Sequence, residues 1–183
     1  MLEESKLLFL EVDDTWGYAH AFSLIALGRF IQNDNEISLL LHEQSLALFS
    51  DIGDRLFEAV MLRAIGILKA RLGDTAGAVE SLHKALTLLR QLDNTYFIRY
   101  VLWGLAEAAK IEGDVSRSVC LYWAGRNVAH SIGAWRRLDE PVLEKALAQC
   151  RAALSESGFA EAVEKGRAIT MEQAVAYALE DQE

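Results

Sequence analysis

Apolar side chains recur at helical spacing through residues 53–92, and one polar turn divides this stretch into two halves. In the first half, Leu62 and Ile65 lie three residues apart on one face, and in the second half Leu82 and Leu89 lie seven apart. Steps of three, four and seven residues are typical of an amphipathic α-helix that buries one face. The pattern predicts two helices, at residues 56–72 and 76–92.

The turn between the two predicted helices has the sequence Gly73-Asp74-Thr75. A glycine suits the position just after a helix, where φ is positive and a Cβ would be strained. Either Asp74 or Thr75 can accept a hydrogen bond from the free N–H groups at the start of the next helix. Local chemistry therefore predicts a helical hairpin.

This hairpin pattern recurs every 40 residues. The turn at Gly73 has counterparts at Asn33 and Gly113, and small residues keep the same register, as Ala26/Gly66/Ala106, Ser38/Ala78/Ser118 and Ser45/Ala85/Gly125. One helix pair cannot bury its apolar face alone, so a period of 20–50 residues in helix pairs predicts a stacked array. The sequence predicts an all-α fold of antiparallel helix pairs.

The repeat divides the chain into successive segments of one predicted domain. These are a half repeat at 2–12, full repeats at 14–52, 54–92 and 94–132, and a degenerate repeat with a C-terminal cap at 134–181. Residues 2–12 resemble the second helix of a repeat, so the chain is expected to begin inside one. Beyond Gly133, helices are predicted at 140–154, 159–165 and 171–179; Pro141 suits a first helical turn, and Thr170 with Gln173 forms a capping box.

Charge and composition exclude some classes of function. The chain has 18 Lys and Arg against 27 Asp and Glu, a net charge of −9, which argues against a nucleic-acid partner. Cys120 and Cys150 fall inside helical patterns and are predicted to be buried free thiols. The acidic start and the lack of an apolar run of about 20 residues predict no signal peptide, no membrane contact and a cytoplasmic location.

No catalytic constellation is found in the sequence. The four histidines are dispersed, there is no Cys-x-x-Cys pair, and no Gly-rich loop with a following Lys-Ser or Lys-Thr is present. We therefore expect no metal, no cofactor and a binding function, with an enzyme as the least favoured alternative.

The small and apolar positions of residues 53–92 resemble the tetratricopeptide repeat. Gly66, Ala78 and Ala85 fill the family's small positions, while Lys69 and Arg90 stand where it usually has an aromatic residue and a proline. The period of 40 exceeds the usual 34 and is similar to the longer repeats of MalT-like regulators. The resemblance implies a right-handed α-α superhelix.

Residues 115–180 resemble the end of the repeat arm in large bacterial ATPase regulators, which often carry a LuxR-type or adenylate cyclase module. This resemblance rests on Arg151-Ala-Ala-Leu, Phe159-Ala-Glu-Ala, Gly166-Arg-Ala and Met171-Glu-Gln-Ala-Val. It implies a regulatory arm that binds a protein partner and takes part in transcription regulation or signalling. The alternative is a free-standing scaffold that binds a peptide or small ligand.

The family resemblance also implies that the first helices of successive pairs line a concave groove. The predicted groove residues are Ser23, Arg63, Arg71, Tyr100, Trp103, Glu107 and Lys110. Arg and Trp together suit an extended chain or an acidic, partly apolar ligand. The alternative is that Arg63 pairs with Glu107 and that Trp103 packs between helices.

Two further expectations concern apolar surface. Trp123 occupies a position held by Glu43 and His83 in other repeats, so a cover is expected, either the terminal helices or a partner chain. Leu8 and Val12 belong to an apolar stripe of the N-terminal half repeat. An uncovered stripe of this kind tends to associate, and it predicts a homodimer through residues 2–30.

Overall fold

The computed structural model describes residues 2–137 and 139–180. Within these ranges it contains ten α-helices and no strand, which confirms the all-α prediction. The helices are α1 (Leu2–Glu11), α2 (Thr15–Ile31), α3 (Asn35–Asp51), α4 (Arg55–Arg71), α5 (Thr75–Gln91), α6 (Thr95–Glu112), α7 (Val115–Ser131), α8 (Asp139–Ala153), α9 (Glu156–Ala168) and α10 (Met171–Leu179). None of these helices combines the length and apolar character that a membrane span requires.

The turns explain the regular helix lengths. Helices α2 to α7 begin at residues 15, 35, 55, 75, 95 and 115, twenty residues apart. A residue with positive φ precedes each start by two positions and recurs after α7 at Gly133. Gly73 has a φ of +90°, as its place after a helix predicts. Asp13, Asn33 and Asp93 have φ of 55°, 61° and 50°, a region that short polar side chains tolerate.

After five of these turns an acidic or amide side chain caps the next helix, whereas Asp34 makes no such bond. The carboxylates of Asp14, Asp54 and Asp114 accept hydrogen bonds from the backbone N–H three residues on, and Asn94 does the same through its amide oxygen. At the turn first singled out, Asp74 accepts from the N–H of Gly77 at 2.9 Å. Of the two predicted cap residues, Asp74 therefore makes the bond.

The chain divides into two compact units, Met1–Leu88 and Leu89–Glu183, and consecutive helices pack against each other within each. In the first unit the hydroxyls of Ser38 and Ser45 on α3 donate to the carbonyls of Ala26 and Ala19 on α2, at 2.8 and 2.9 Å. Such short bonds between helices require small side chains at the contact. The register of small residues thus marks helix contacts, as the sequence suggests.

In the second unit, α7 contacts α6, α8, α9 and α10. The predicted end of α8 is within one residue of the observed one, and α10 has the predicted bounds. Helix α9 is longer than the predicted 159–165 because the Ser155 hydroxyl accepts from the N–H of Gly158 and starts the helix at Glu156.

Candidate partner-binding surfaces

The first unit exposes an apolar stripe on α2. Leu24, Leu27 and Ile31 are 39%, 47% and 73% exposed, and their spacing of three and four residues places them on one helix face. Further large apolar side chains are exposed on α1, in the turn that follows it and on α3, at Leu7, Leu8, Leu10, Val12, Ile37 and Leu40. Apolar surface that stays exposed in several neighbouring helices is typical of an interaction site.

Ser23 lies beside this stripe but is not part of it. Its side chain is buried, and its hydroxyl donates to the carbonyl of His20 one turn earlier, at 2.7 Å. The exposed residue at the next helical position is Leu27. A binding role for Ser23 stays a prediction, whereas the apolar stripe was missed because each of its residues also fits a buried helix face.

Helix α4 brings positive charge next to α2. The Arg71 guanidinium lies 4.1 Å from the centroid of the Phe30 ring, a cation–π contact between the two helices. Arg63 is partly buried, and its charge reaches the buried His42 on α3. Helix α4 carries four cationic residues, Arg55, Arg63, Lys69 and Arg71, against one acid, Glu58, in a chain of strongly negative net charge.

His42 is held neutral by its surroundings. Burial is the main cause that lowers its pKa; the hydrogen bond to the Ser38 carbonyl opposes the shift, and the Arg63 charge lowers the pKa further. The ring Nδ1 lies 2.8 Å from that carbonyl, so Nδ1 carries the proton. The first unit thus contains one titratable group whose protonation opposes folding.

An aromatic cluster lies at the start of α2 and α4. The Trp16 indole stacks on His20 with ring centroids 5.1 Å apart, meets the Phe57 ring edge-on at 5.5 Å, and donates through Nε1 to the Asp54 carboxylate at 3.0 Å. Trp16 remains 43% exposed. The sequence pattern did not predict this cluster. Trp16 and Asp54 nevertheless follow equivalent turns of the repeat, at Asp13 and Gly53.

In the second unit, Trp103 is a packing residue of α6. It is only 8% exposed, its Nε1 donates to the Tyr122 carbonyl at 3.2 Å, and its ring meets those of Tyr100 and Trp135 edge-on at 6.0 Å. A Cβ added at Gly125 would lie 2.6 Å from the same Nε1. The geometry favours the packing alternative for Trp103, and a role in binding stays a prediction.

Glu107 and Lys110 are paired within α6. Lys110 Nζ lies 2.7 Å from a Glu107 carboxylate oxygen and donates to the Gln149 side chain of α8 at 3.1 Å. The buried Tyr122 hydroxyl donates to Glu107. Burial raises the pKa of Tyr122, and the neighbouring carboxylate raises it further. Within their unit, these two predicted groove residues join α6 to α7 and α8.

Tyr100 belongs to an ionic cluster that the sequence analysis did not anticipate. The fully buried Arg99 lies 3.6 Å from the Asp139 carboxylate and donates to the Tyr100 hydroxyl at 2.5 Å and to the Ala134 carbonyl. Arg136 binds the same carboxylate at 3.1 Å. The Asp139 carboxylate binds two guanidinium groups and accepts a hydrogen bond from the Arg136 N–H, and it thus provides the counter-ion that the buried Arg99 requires.

The C-terminal helices cover Trp123, as one of the two alternatives predicted. The Arg167 and Arg126 guanidinium groups lie 4.2 and 4.7 Å from the centroid of its indole. Gly166 of α9 comes so close that an added Cβ would lie 2.7 Å from the Trp123 Cβ. Asn127 of α7 donates to the Gly166 and Arg167 carbonyls at 3.1 and 2.8 Å, which holds α9 in place.

The two cysteines are free and buried, as predicted. Burial raises the pKa of both thiols, so each is protonated at neutral pH. Among residues 2–137 and 139–180, no group of three or more His, Cys, Asp or Glu side chains is placed to hold a metal ion.

These contacts define an all-α protein of consecutively packed helices, with an exposed apolar stripe on α2 in one unit and three helices packed against α7 in the other. No protein-family model matches the sequence. No curated protein sequence is significantly similar to it.

Proposed function

We propose that this chain is a non-catalytic protein-interaction domain, built as a right-handed superhelix of tetratricopeptide-like pairs with a period of 40 residues. In this proposal it is the regulatory arm of a bacterial transcription regulator or signalling ATPase, and it works in the cytoplasm. The observation that carries the binding function is the set of large apolar side chains exposed on the neighbouring helices α1, α2 and α3. Exposed apolar surface of this kind is typical of protein interaction sites.

Two features support the repeat assignment. Helices α2 to α7 share one spacing and one turn chemistry. Residues 40 positions apart also meet in the second unit, where the Arg99 side chain binds the Asp139 carboxylate and the Asn127 side chain donates to the Arg167 backbone carbonyl. In stacked helix pairs, equivalent positions of neighbouring repeats become neighbours in space.

The partner we propose is a protein or peptide with apolar and acidic residues. The stripe of Leu24, Leu27 and Ile31 offers the apolar contact, and the basic helix α4 with Arg63 and Arg71 offers charge of the opposite sign. A second copy of the chain is a further proposed partner, through residues 2–30. In the alternative function the same surface belongs to a free-standing scaffold, and an ATPase gene in frame upstream would separate the two.

The test compares two surface variants in which aspartate replaces exposed apolar side chains. Leu27→Asp with Ile31→Asp places charge in the α2 stripe, and Val142→Asp places it on an isolated apolar residue of the second unit that is 58% exposed. Substitutions of exposed side chains usually change stability by about 0.5 kcal/mol or less, so all variants should fold. We expect only the α2 variant to capture fewer partners in cross-linking experiments. We also expect only this variant to show weaker self-association in light scattering.

A strict monomer at high concentration would exclude the homodimer, and equal partner capture by all variants would exclude the α2 surface. Arg63→Ala should weaken partner binding by roughly 1–3 kcal/mol, as loss of a charged hydrogen bond does, without unfolding the chain. Trp103→Ala separates the remaining alternatives: unfolding identifies a core residue, whereas weaker binding by a stable variant identifies a groove residue.

A further inference from the structure

The last helix of the described chain, α10, is held to the second unit through a small contact. Its buried side chains are Ala174, Val175 and Ala178, and it contacts α6 and α7. Thr170 and Gln173 close its first turn with reciprocal hydrogen bonds. A helix of nine residues is far below the roughly 12–15 residues at which isolated helices become marginally stable, so α10 depends on this contact.

One side chain of α7 binds the end of α10. Arg117 Nη2 donates to the carbonyl oxygens of Tyr177 at 2.8 Å, Ala178 at 3.4 Å and Glu180 at 3.1 Å. Its guanidinium also lies 4.7 Å from the centroid of the Tyr177 ring, and Lys165 Nζ lies 4.3 Å from the same centroid. The last carbonyls of a helix have no partner within it, and they attract positive charge.

Cys120 lies below this contact. Its side chain is 1% exposed, and it is close enough to Lys165, Arg117 and Tyr177 for all three to affect its pKa. Cys150 is equally buried in the same unit, but its Sγ lies 3.6 Å from the Ser118 hydroxyl, at the contact of α7 with α8. The unit thus contains two protected thiols of which only one lies next to α10.

Helix α9 provides the contrast. Asn127 binds two of its carbonyls, Gly166 packs against the backbone of α7, and Arg167 covers Trp123. Contacts of α9 with α7 thus combine hydrogen bonds, close backbone packing and aromatic cover, whereas α10 is held by three small buried side chains, by Arg117, and by the contacts of its Tyr177 ring with Arg117 and Lys165.

We propose that α10 is a detachable latch, which releases from α7 as one piece while the rest of the second unit stays folded. Release uncovers the strip of α7 around Arg117 and Cys120 and frees two cations, Arg117 and Lys165, that the docked helix engages. Elements with few buried apolar contacts open at lower free energy than the core around them. The second unit then has a conditional surface, closed in the docked state, that is separate from the α2 stripe of the proposed function.

The two thiols make this opening measurable in the full-length chain. Iodoacetamide is added to the native protein for increasing times, and mass spectrometry of the digested protein gives the labelling rate of each cysteine. Because burial keeps both thiols protonated and covered, labelling reports opening. Local release of α10 exposes Cys120 alone, so we expect Cys120 to react at least about tenfold faster than Cys150.

Three variants identify the contact responsible. Arg117→Ala removes the charged hydrogen bonds and should raise the Cys120 rate about tenfold, the order expected for such a loss. Tyr177→Ala tests the same contact from the side of α10, and should raise the rate less. Arg151→Ala is the control, because Arg151 binds Glu156 and the Phe159 ring instead. In both test variants the Cys150 rate should stay at its wild-type value.

Labelling of Cys120 and Cys150 at one common rate, rising together in the variants, would overturn the proposal, because it would show that α10 opens only when the whole unit unfolds. Unchanged Cys120 rates in both Arg117→Ala and Tyr177→Ala would overturn it as well.

Discussion

The two units differ in how far other helices cover their apolar side chains. The first leaves large side chains uncovered, such as Leu8, Val12 and Ile31, and its charged groups are mostly exposed. The second covers α7 with α8, α9 and α10, and arginine side chains connect the helices of this unit: Arg99, Arg117, Arg126, Arg136 and Arg167. Similar helices therefore leave an apolar stripe exposed on α2 in one unit and have three further helices packed against α7 in the other.

This difference comes from a few side chains. Arg99 occupies a position that is Ala19 and Ala59 in the other repeats, all three being fully buried. An arginine there needs a counter-ion, and Asp139, 40 residues later, provides it. A buried ion pair thus attaches the start of α8 to α6.

Removing the cover should have the largest effect. Deletion of residues 157–180 removes nearly all of α9 and α10. Burial of each of their buried side chains contributes about 1–2 kcal/mol, so we expect the second unit to lose roughly 5 kcal/mol of stability. Trp123 should then face water, so tryptophan emission should shift to the red and the protein should become less soluble.

The first unit serves as the internal reference for that deletion, since hydrogen exchange of α2 and α3 should stay at its normal rate. Equal stability of the full and shortened chains, with no red shift, would contradict a covering role for α9 and α10.

Breaking the buried ion pair should come next. Arg99→Met leaves the buried Asp139 carboxylate with Arg136 alone, and we expect a loss of about 3–5 kcal/mol in chemical denaturation. The control is Lys84→Met in the first unit, which removes an exposed pair with Glu80 and should cost under about 0.5 kcal/mol. Similar losses in the two variants would mean that burial of Arg99 does not matter.

A pair of glycine variants compares helix crowding in the two units. Gly125→Ala places a methyl group 2.6 Å from Trp103 and should destabilise the chain by about 1–3 kcal/mol. Gly28→Ala meets no atom within 4 Å on α2 and should stabilise the chain by about 0.5–1 kcal/mol. Thermal unfolding of both variants measures this difference, and opposite signs are the expected result.

The smallest expected effect is a pH dependence of stability that comes from His42 in the first unit. Because the pKa of His42 is lowered in the fold, the unfolded chain takes up a proton that the folded chain refuses once the pH falls below about 6.5. Stability should thus be unaffected above that pH and should decrease below it, by at most about 1.4 kcal/mol per pH unit from this group. In His42→Gln the slope of stability between pH 6.5 and 5 should be smaller by this contribution.

The sequence predicts most of the local structure because turns and caps are local. Gly73 needs its positive φ, and Asp74 and Thr170 make their bonds within three residues, so helix bounds follow from neighbours in the chain. The register of small residues also predicts helix contacts, as at Ser38 and Ser45.

The candidate surfaces are harder to predict because exposure depends on which helices lie nearby. Leu27 and Leu82 fit the same apolar pattern, yet Leu27 is 47% exposed and Leu82 is fully buried. For Trp103 the sequence leaves groove and core open, and only its contacts with α7, at Gly125 and the Tyr122 carbonyl, favour the core. The Arg99–Asp139 pair did leave a signal, since opposite charges 40 residues apart replace alanines in one row.

The equally spaced turns have a consequence for how such a chain changes over generations. Each turn from Asp13 to Gly133 places a residue of positive φ at the same step, and most are followed by a side chain that starts the next helix. A duplicated stretch that begins at one turn and ends two turns later carries both of its helix ends with it. Its insertion needs no new turn chemistry, whereas a stretch of any other length separates a helix from its own start signal. Insertions and deletions of whole helix pairs should therefore disturb this fold less than insertions and deletions of other lengths.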